Sequence, residues 1–250
     1  MAGNESGALR VKYGRIRDLI IGMSVVLADG TIARTGGKVV KNVAGYDLHK
    51  LMIGAFGTLG LATEITFRLH SLPVGLQSFT ISSAEAEPLG GLMLQLIDSH
   101  LNAQSIQLRT EDDHFRLDIR LGVLPEVLKG QSMLLLEMAK RAKLTAEEAP
   151  GDIWNRRDLL FADASGFTFK ATMLPSDIAR FTSIVRGFGG QAIVQATGIM
   201  TAFLPASREG EISELRMEFT RSSGSLVVLQ QPVNADVDLW GQPSSSFPLM

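Results

Sequence analysis

The stretch from Gly36 to Pro73, which reads GGKVVKNVAGYDLHKLMIGAFGTLGLATEITFRLHSLP, constrains the fold of this chain more than any other. From Leu61 onward, apolar and polar side chains alternate with the period of two that is typical of a half-buried β-strand. Directly before this strand, Gly57 and Gly60 enclose a Gly-x-x-Gly loop whose backbone a ligand can approach without side-chain obstruction. The segment therefore predicts either a ligand-facing loop or a simple tight turn that leads into a sheet. The predicted buried face of the strand carries Leu61, Ile65, Phe67 and Leu69.

The composition is that of an ordinary globular protein. The 250 residues are 45% hydrophobic and 20% charged, with a formal net charge of -2, so we expect no nucleic-acid partner. The chain contains no cysteine, which excludes disulfides and thiol catalysis. No stretch reaches the roughly 18 uninterrupted apolar residues of a membrane span, and the first residues lack the apolar core of a signal peptide. We therefore expect a cytoplasmic protein.

Turn signals and apolar periodicity predict the elements on either side of the glycine loop. Met23–Arg34 reads as a hairpin, because Asp29 and Gly30 can supply the positive φ angles of a two-residue turn. Residues 45–53 predict a short helix. The predicted buried face of that helix carries Leu48, Leu51 and Met52.

After Pro73 the chain shows the order strand, helix, strand, strand, helix twice over. Strands are predicted at 76–82, 105–108, 115–121, 167–173, 191–196, 199–204 and 225–230, and helices at 85–100, 125–143, 175–186 and 208–221. The sequence EEAPGD at 147–152 is interpreted as a linker between the two halves. This order implies an antiparallel sheet with helices on one face, in a doubled ferredoxin-like layout.

Two ordered motifs carry a resemblance to a known family. KNVAGYDL at Lys41–Leu48 is followed by GTLG at Gly57–Gly60 and by a T-E-I-T strand, and Asn4–Gly30 contains an N-x-S-G…YG…RD…G…V-L-A-D-G pattern. With these motifs the chain resembles the FAD-linked oxidases typified by vanillyl-alcohol oxidase and p-cresol methylhydroxylase (PCMH). Within that family it is most similar to the E subunits of bacterial glycolate oxidase.

The resemblance implies a fold and a cofactor. The implied fold class is α+β, with residues 1–73 as the second half of a PCMH-type FAD-binding domain and residues 74–250 as a ferredoxin-like antiparallel-sheet cap domain. The implied cofactor is FAD, which backbone amides can bind because they donate to phosphate, ribose and ring oxygens without a bulky side chain. The implied cofactor-binding residues are Asn4, Glu5, Ser6, Gly57, Thr58, Leu59, Gly60, Leu61 and Ala62.

Other polar residues give weaker signals. Asn42 and Asp47 lie in the family motif, and we interpret them as caps of turns or of the short helix, with flavin contact as the alternative. The four histidines do not pair at metal-ligand spacing, and none belongs to a recognisable nucleophile motif. We therefore predict no catalytic and no metal-ligating residue in this chain.

The resemblance also implies a function and partners. It implies a flavin-binding subunit of a glycolate-oxidase-like complex that converts the small 2-hydroxy acid glycolate to glyoxylate. The implied partners are a catalytic flavoprotein D-type subunit and an iron–sulfur F-type subunit, which can place the complex at the inner membrane. The alternatives are a stand-alone FAD-linked oxidase or dehydrogenase of the same superfamily and a flavin-free scaffold subunit.

Two features of the family do not occur in this sequence, namely the glycine-rich pyrophosphate loop upstream and the N-P-G-R ending downstream. We therefore expect a fragment or a shortened relative, which alone binds FAD weakly or not at all. The side that the first FAD subdomain covers in the family should then be exposed as an apolar patch. The residues expected in that patch are Val25, Val26, Leu59 and Leu61.

Overall fold

The structure is a computed structural model that describes residues 1, 3–39 and 45–241. The chain divides into two compact units, Met1–Leu72 and Pro73–Met250. Each unit is described by itself. The assignment of residues 1–73 as part of an FAD-binding domain and of 74–250 as a cap stays a prediction.

The first unit is a three-stranded antiparallel sheet with short helical segments. Its helices are α1 (Arg10–Tyr13) and α2 (Ile16–Leu19), and its strands are β1 (Ile20–Val26), β2 (Ile32–Gly36) and β3 (Leu61–Phe67). The strand order β2-β1-β3 places β1 in the centre. Ile20, Met23 and Val25 of this strand form a small core. Because Val25 is only 3% exposed, it does not belong to the predicted exposed patch.

The predicted hairpin is present, but its turn is longer than predicted. The amide of Leu27 donates to the carbonyl of Thr31, and the amide of Gly30 donates to the carbonyl of Leu27. The loop therefore has three residues. Gly30 takes a positive φ of 83°, whereas Asp29 does not have a positive φ. The Asp29 side chain accepts a hydrogen bond from the Thr31 amide. A three-residue loop needs one left-handed residue, so a single glycine suffices.

A β-bulge changes which face of β3 is buried. The register of β3 against β1 skips Thr63, and an extra residue reverses the alternation of side chains along a strand. Ala62 and Ile65 consequently pack against the core, whereas Leu61 lies on the opposite face and is 69% exposed. The prediction that Leu61, Phe67 and Leu69 share the buried face with Ile65 is wrong. Alternation alone does not reveal the bulge that turns Leu61 outward, and Leu69 lies beyond the end of β3. Phe67, the last residue of the strand, is 43% exposed.

The predicted short helix is reduced to one turn. A 3-10 turn spans Leu48–Leu51, which is too short to present the i, i+3, i+4 face of an amphipathic helix. Leu48 and Leu51 are exposed, and His49 is the buried side chain, at 2% exposure. The prediction that Leu48 and Leu51 are buried is therefore wrong.

The second unit is an eight-stranded antiparallel sheet with helices. Its strands are β4 (Gly75–Ser83), β5 (Ala103–Glu111), β6 (His114–Val123), β7 (Ala146–Ala149), β8 (Gly166–Thr172), β9 (Gln191–Gln195), β10 (Ile199–Pro205) and β11 (Ser225–Gln230). Its helices are α3 (Ala86–Ile97), α4 (Pro125–Arg141), α5 (Arg156–Leu159), α6 (Ile178–Gly187) and α7 (Glu211–Arg221).

The strand order confirms the doubled ferredoxin-like layout. The sheet runs β11-β8-β10-β9-β5-β6-β4-β7. Within each half, the fourth, first, third and second strands follow one another, which is the order of a ferredoxin-like βαββαβ unit. The two halves are joined where β5 pairs with β9, antiparallel, with Leu108 opposite Val194.

The two faces of the large sheet differ in chemistry. One face packs against α3, α4, α6 and α7 in a single hydrophobic core that includes Leu89, Leu135, Phe181 and Phe219. Because successive strand residues point to opposite faces, the residues between the core positions lie on the other face. That face is polar and is called the polar face below; its members include Ser78, Thr80, Ser105, Gln107, Arg109, Asp118, Arg120 and Thr201.

The predicted linker at 147–152 is wrong in its first half. Ala146–Ala149 is strand β7, which pairs with β4 at the edge of the sheet, with Thr80 opposite Glu147. Two adjacent glutamates read as a solvated loop in the sequence. On an edge strand, however, charged side chains are common because they prevent pairing with other chains.

Candidate functional site

The N-terminal segment lies against the loop that leads to the glycine motif. The amides of Asn4 and Gly54 both donate to the carbonyl of Met1, at 3.0 and 3.3 Å. A Cβ on Gly54 would lie 3.4 Å from the Cβ of Asn4, and one on Gly3 would lie 3.9 Å from the ring of Phe56. The structure thus brings the two predicted groups of cofactor-binding residues to neighbouring places in the first unit.

The first predicted group has defined local partners. Asn4 has a positive φ of 50°, a conformation that asparagine tolerates better than most residues. Glu5 and Ser6 are half-buried, and Ser6 Oγ accepts a hydrogen bond of 3.4 Å from Arg10 Nη1. Contacts within the first unit therefore position the Asn4–Ser6 segment without a ligand.

The Gly-x-x-Gly loop offers free backbone donors. Gly57 has a φ of 80°, and a Cβ at this position would meet no atom within 4 Å. Thr58 closes the turn, since its amide and its Oγ1 both bind the carbonyl of Ala55, at 2.9 and 2.7 Å. Within the described ranges, the amides of Gly57 and Leu59 donate no hydrogen bond. Amides of this kind suit the oxygens of an anionic ligand.

The end of the motif has a structural explanation. A Cβ on Gly60 would lie 2.8 Å from both Val25 Cγ1 and the carbonyl oxygen of Val26, so close packing of the loop on β1 requires glycine there. Ala62 packs into the small core, and Leu61 projects from the opposite face. Gly60 thus matches the alternative interpretation of a tight turn, whereas Gly57 leaves room for a ligand.

The remaining motif residues fall into two groups. Lys41 and Asn42 lie outside the described residues. Asp47 precedes the 3-10 turn but forms no side-chain cap; instead, its carboxylate accepts a hydrogen bond of 2.6 Å from Lys50 Nζ. This bond lowers the pKa of Asp47 below its ordinary value. The prediction that the Asp47 side chain caps the helix is therefore wrong, because the ammonium group of Lys50 competes for the carboxylate.

A small polar cleft lies beside this turn and was not predicted from the sequence. It has a volume of about 90 Å³, and its charged and polar lining comprises Asp18, Asp47, His49, Lys50 and Arg68. His49 Nδ1 lies 3.5 Å from Thr35 Oγ1. These residues come from separate segments of the first unit, so no local motif could have indicated the cleft.

A second, larger polar arrangement occupies the polar face of the second unit. Asp118 is completely buried and accepts hydrogen bonds from Arg109 Nε at 2.7 Å, from Thr80 Oγ1 at 2.8 Å and from Gln107 Nε2 at 3.0 Å. Arg109 is 2% exposed. Burial by itself would lower the pKa of Arg109, but the charge of Asp118 and the hydrogen bonds that Arg109 donates to Asp118 and Glu111 raise it.

Glu111 links three arginines at the edge of this network. Its carboxylate pairs with Arg109 Nη1 at 2.9 Å and also with Arg116 and Arg156. Burial by itself would raise the pKa of Glu111, but the hydrogen bond and charge of Arg109, with the charges of Arg156 and Arg116, lower it. The predicted strand at 105–108 was too short to include Arg109 and Glu111. The polar residues Ser105, Gln107 and Arg109 alternate with Ile106 and Leu108, and this period of two was the signal that could have found Arg109. Glu111 lies in a continuous polar run, which gave no such signal.

The described part of the chain contains neither a metal-binding cluster nor a membrane-spanning helix. There, no three His, Cys, Asp or Glu side chains come together in a way that could hold a metal ion. No helix among those residues is long and apolar enough to cross a membrane.

Comparisons with known proteins give partial sequence relatives. No family model matches the chain. It is 56% identical over 69 residues to glycolate oxidase subunit GlcD of Bacillus subtilis, covering 27% of this chain and 15% of that protein. It is 35% identical over 132 residues to a D-lactate dehydrogenase of Anaerostipes hadrus, covering 52% and 28%. An uncharacterized FAD-linked oxidoreductase of Mycobacterium tuberculosis is 48% identical over 69 residues, covering 27% and 15%.

The chain is a partial homologue of FAD-linked oxidoreductases. The matched stretches span less than a third of the length of these three relatives. Two of the relatives are named for 2-hydroxy acids, glycolate and D-lactate, so the chain is related to flavin-dependent oxidoreductases that act on this class of compound.

Solved structures show the fold of this chain. p-Cresol methylhydroxylase with substrate bound aligns with a TM-score of 0.66 at 15% identity, over 92% of this chain and 60% of that chain. A VAO-type flavoprotein from Myceliophthora thermophila aligns with a TM-score of 0.59 at 13% identity, over 92% and 53%. The predicted α+β fold of the PCMH and vanillyl-alcohol oxidase (VAO) type is thereby confirmed, and the residues predicted to bind FAD stay a prediction.

Proposed function

We propose that this chain is a flavin-binding subunit of a glycolate-oxidase-like complex that oxidises glycolate to glyoxylate. The observation that carries the proposal is the 56% identity over 69 residues to glycolate oxidase subunit GlcD. Because GlcD is itself a D-type subunit, the assignment of this chain as a separate subunit rests on the motif resemblance described above and not on this identity. Identity of this degree over a continuous stretch supports a shared local structure. The 60% of p-cresol methylhydroxylase that aligns with 92% of this chain supports the same flavoprotein framework.

The first unit has backbone groups that suit contact with FAD. FAD supplies the redox chemistry, and protein groups supply position and electrostatics. In the proposal, the amides of Gly57 and Leu59 donate to oxygens of the cofactor, which their unused hydrogen-bonding capacity and the open space at Gly57 support. The neighbouring Asn4–Ser6 segment borders the same ligand. Leu61 and Ala62 contribute backbone, since the Ala62 side chain packs into the core.

The proposal divides the reaction between chains. A D-type flavoprotein subunit holds the hydroxy acid, and an iron–sulfur F-type subunit takes the electrons. In the proposal, this chain contributes flavin contact and no base for the substrate. His70, His100 and His114 are exposed, and a solvated histidine is not held in place for proton abstraction. The fourth histidine, His49, is buried beside Thr35 and has no role in the proposed reaction.

A matched pair of glycine variants tests the flavin role. Gly57→Val adds a side chain over the two free amides, whereas Gly30→Val adds the same side chain at a φ of 83°, also with no atom within 4 Å of its Cβ. Both variants carry the same backbone strain. In a complex purified with D-type and F-type subunits, we expect Gly57→Val to weaken FAD binding by about tenfold or more, as loss of hydrogen bonds to a charged ligand would. Gly30→Val should retain FAD.

The measurement is the number of FAD molecules released per complex on denaturation, with and without dialysis. Equal FAD content in both variants would contradict a flavin contact at Gly57. A wild-type complex with no more FAD than the D-type subunit alone would favour the flavin-free scaffold. For the isolated chain, we expect FAD to be lost on dialysis.

A stand-alone dehydrogenase is the second candidate. It is favoured by the 35% identity over 132 residues to a D-lactate dehydrogenase, which covers 52% of this chain. Reduction of an artificial electron acceptor separates the two functions. Turnover of D-lactate or glycolate by the isolated chain with added FAD, above a control without protein, would support the dehydrogenase. Turnover of glycolate only in the three-subunit complex would support the subunit.

A further inference from the structure

Residues 151–160, called the strap below, cross the polar face of the second unit. The strap consists of the 3-10 turn Gly151–Asn155 and helix α5, followed by Leu160. It begins over β6 and β4 and ends over β8. Its contacts along this path are Arg120 to the Gly151 carbonyl, Trp154 to Ser78, Arg156 to Glu111, Arg157 to Thr201, and Thr168 to the Leu160 carbonyl.

Polar contacts and two buried aliphatic side chains hold the strap. Trp154 Nε1 donates to Ser78 Oγ at 3.1 Å, and the Arg120 guanidinium lies 4.8 Å from the centre of the Trp154 ring. Ile153 and Leu160 are buried, but neither belongs to the main hydrophobic core. Short 3-10 and α-helical turns have little stability of their own. Opening the strap would therefore break polar contacts that water and ions can replace and would expose Ile153 and Leu160, but it would leave the main hydrophobic core covered.

The sheet beneath the strap carries polar side chains that water can solvate. Ser105 and Thr201 are at most 2% exposed, although their side chains are polar. Ser105 Oγ is completely buried and has no hydrogen-bond partner among the described residues. Uncovering such side chains costs little hydrophobic free energy, because the apolar core lies on the opposite face of the sheet. An open strap is thus compatible with a folded sheet.

A positively charged cleft lies between the strap and strands β5 and β9. It has a volume of about 80 Å³, and its lining includes Arg109, Arg156, Leu160 and Gln191. Around Glu111, three arginines meet the two carboxylates of Glu111 and Asp118, which leaves an excess of one positive charge. Guanidinium groups bind carboxylates with paired hydrogen bonds. The cleft therefore suits a singly charged anion.

We propose that the strap is a gate over this arginine-lined cleft and that a small organic carboxylate opens it by replacing Glu111 at Arg156. The incoming carboxylate takes the hydrogen bonds of Arg156, while Glu111 keeps Arg109 and Arg116. No bond other than hydrogen bonds and ion pairs is made or broken. The inference concerns the second unit and is independent of the flavin contact proposed for the first.

Hydrogen exchange and arginine side-chain resonances test the gate on the wild-type chain. The probes are sodium acetate, sodium chloride at the same ionic strength, and acetamide as the neutral analogue of acetate. We expect acetate to shift the Nε–H signal of Arg156 saturably and to shift that of Arg109 much less, because Arg109 Nε stays bonded to the buried Asp118. We also expect it to accelerate exchange of the strap amides, with little effect on β5 and β9. Chloride should act only by screening, and acetamide should have no effect.

Two glutamine variants provide the matched comparison. Glu111→Gln removes the charge that holds Arg156, and we expect exchange of the strap amides to accelerate about tenfold without any acetate, as loss of a charge-assisted hydrogen bond would. Glu137→Gln removes the carboxylate of another arginine pair, Glu137–Arg141 on α4, and should leave the strap unchanged.

Two results would overturn the inference. If the strap amides exchange only together with those of β5 and β9, the strap opens by global unfolding and is not a gate. If acetate and chloride shift the arginine signals equally and without saturation, the cleft does not bind carboxylates. Because both measurements use the wild-type chain, poor folding of Glu111→Gln would not obscure either result.

Discussion

At the scale of single residues, Asp118 organises the polar face of the second unit. Its side chain has no solvent exposure, and its two oxygens accept hydrogen bonds from Arg109, Gln107 and Thr80. A buried charge without such partners would cost several kcal/mol in lost hydration. The carboxylate is therefore tolerated because the two strands beside β6, β4 and β5, bring three donors to it at once.

Removing this carboxylate should destabilise the second unit strongly. In Asp118→Ala, the guanidinium of Arg109 stays buried with one of its two carboxylate partners gone, and we expect a loss of about 3–5 kcal/mol in the free energy of unfolding. Urea unfolding, followed by a probe in the second unit, measures this loss. The control is Asp152→Ala, an exposed aspartate on the strap, for which we expect a change within about 0.5 kcal/mol. A loss below 1 kcal/mol in Asp118→Ala would contradict the burial argument.

At the scale of elements, strand β7 shows the difference between a linker and an edge strand. Its four residues pair with β4, with Phe79 opposite Glu148 and Thr80 opposite Glu147. In an antiparallel edge strand, alternate residues donate their amides to the neighbouring strand, and the others donate to solvent. A linker would show no such alternation.

Proline substitution tests this assignment with two adjacent positions. Proline has no amide hydrogen, so it is tolerated on the solvent side of an edge strand but not on the bonded side. We expect Glu147→Pro and Glu148→Pro to differ in free energy of unfolding by about 1–3 kcal/mol, the cost of one buried group left unpaired. Each variant removes one carboxylate, so they control each other for charge. Equal stabilities would indicate that the segment is a linker.

At the scale of the whole molecule, the first unit exposes one apolar row across its sheet. Val26 pairs with Ile32 on one side and with Leu61 on the other. Ile32 is 66% exposed and Leu61 is 69% exposed. Contiguous exposed apolar surface of several hundred Å² is uncommon on soluble monomers and marks interaction sites or aggregation.

We therefore expect the isolated chain to self-associate through this row. The double substitution Ile32→Thr and Leu61→Thr should shift the sedimentation profile toward the monomer, because it replaces most of the exposed apolar area with hydroxyl groups. Leu124→Thr and Met133→Thr, two exposed apolar residues of the second unit, form the control and should leave association unchanged. A monodisperse wild-type monomer with a cooperative melt would contradict the expectation.

Much of the fold could be predicted from local pattern. The strand–helix–strand–strand–helix order, read twice from periods of 2 and 3.6 residues, yielded the doubled ferredoxin-like sheet, because each period depends on side chains a few residues apart. The glycine loop at Gly57–Gly60 was located by the same kind of signal. The bulge at Thr63 and the strand at Ala146–Ala149 were missed, since both depend on which strand lies alongside.

The sequence by itself determined the α+β class, the order of the elements and the position of the glycine loop. Only the tertiary structure decided that Leu61 and Ile65 face opposite ways, that Arg109 and Asp118 pair under the strap, and that Gly60 is needed to pack on β1. The physical reason is separation along the chain. Periodicity and turn chemistry act between near neighbours, whereas burial, charge pairing and close backbone approach are set by strands that meet only after folding.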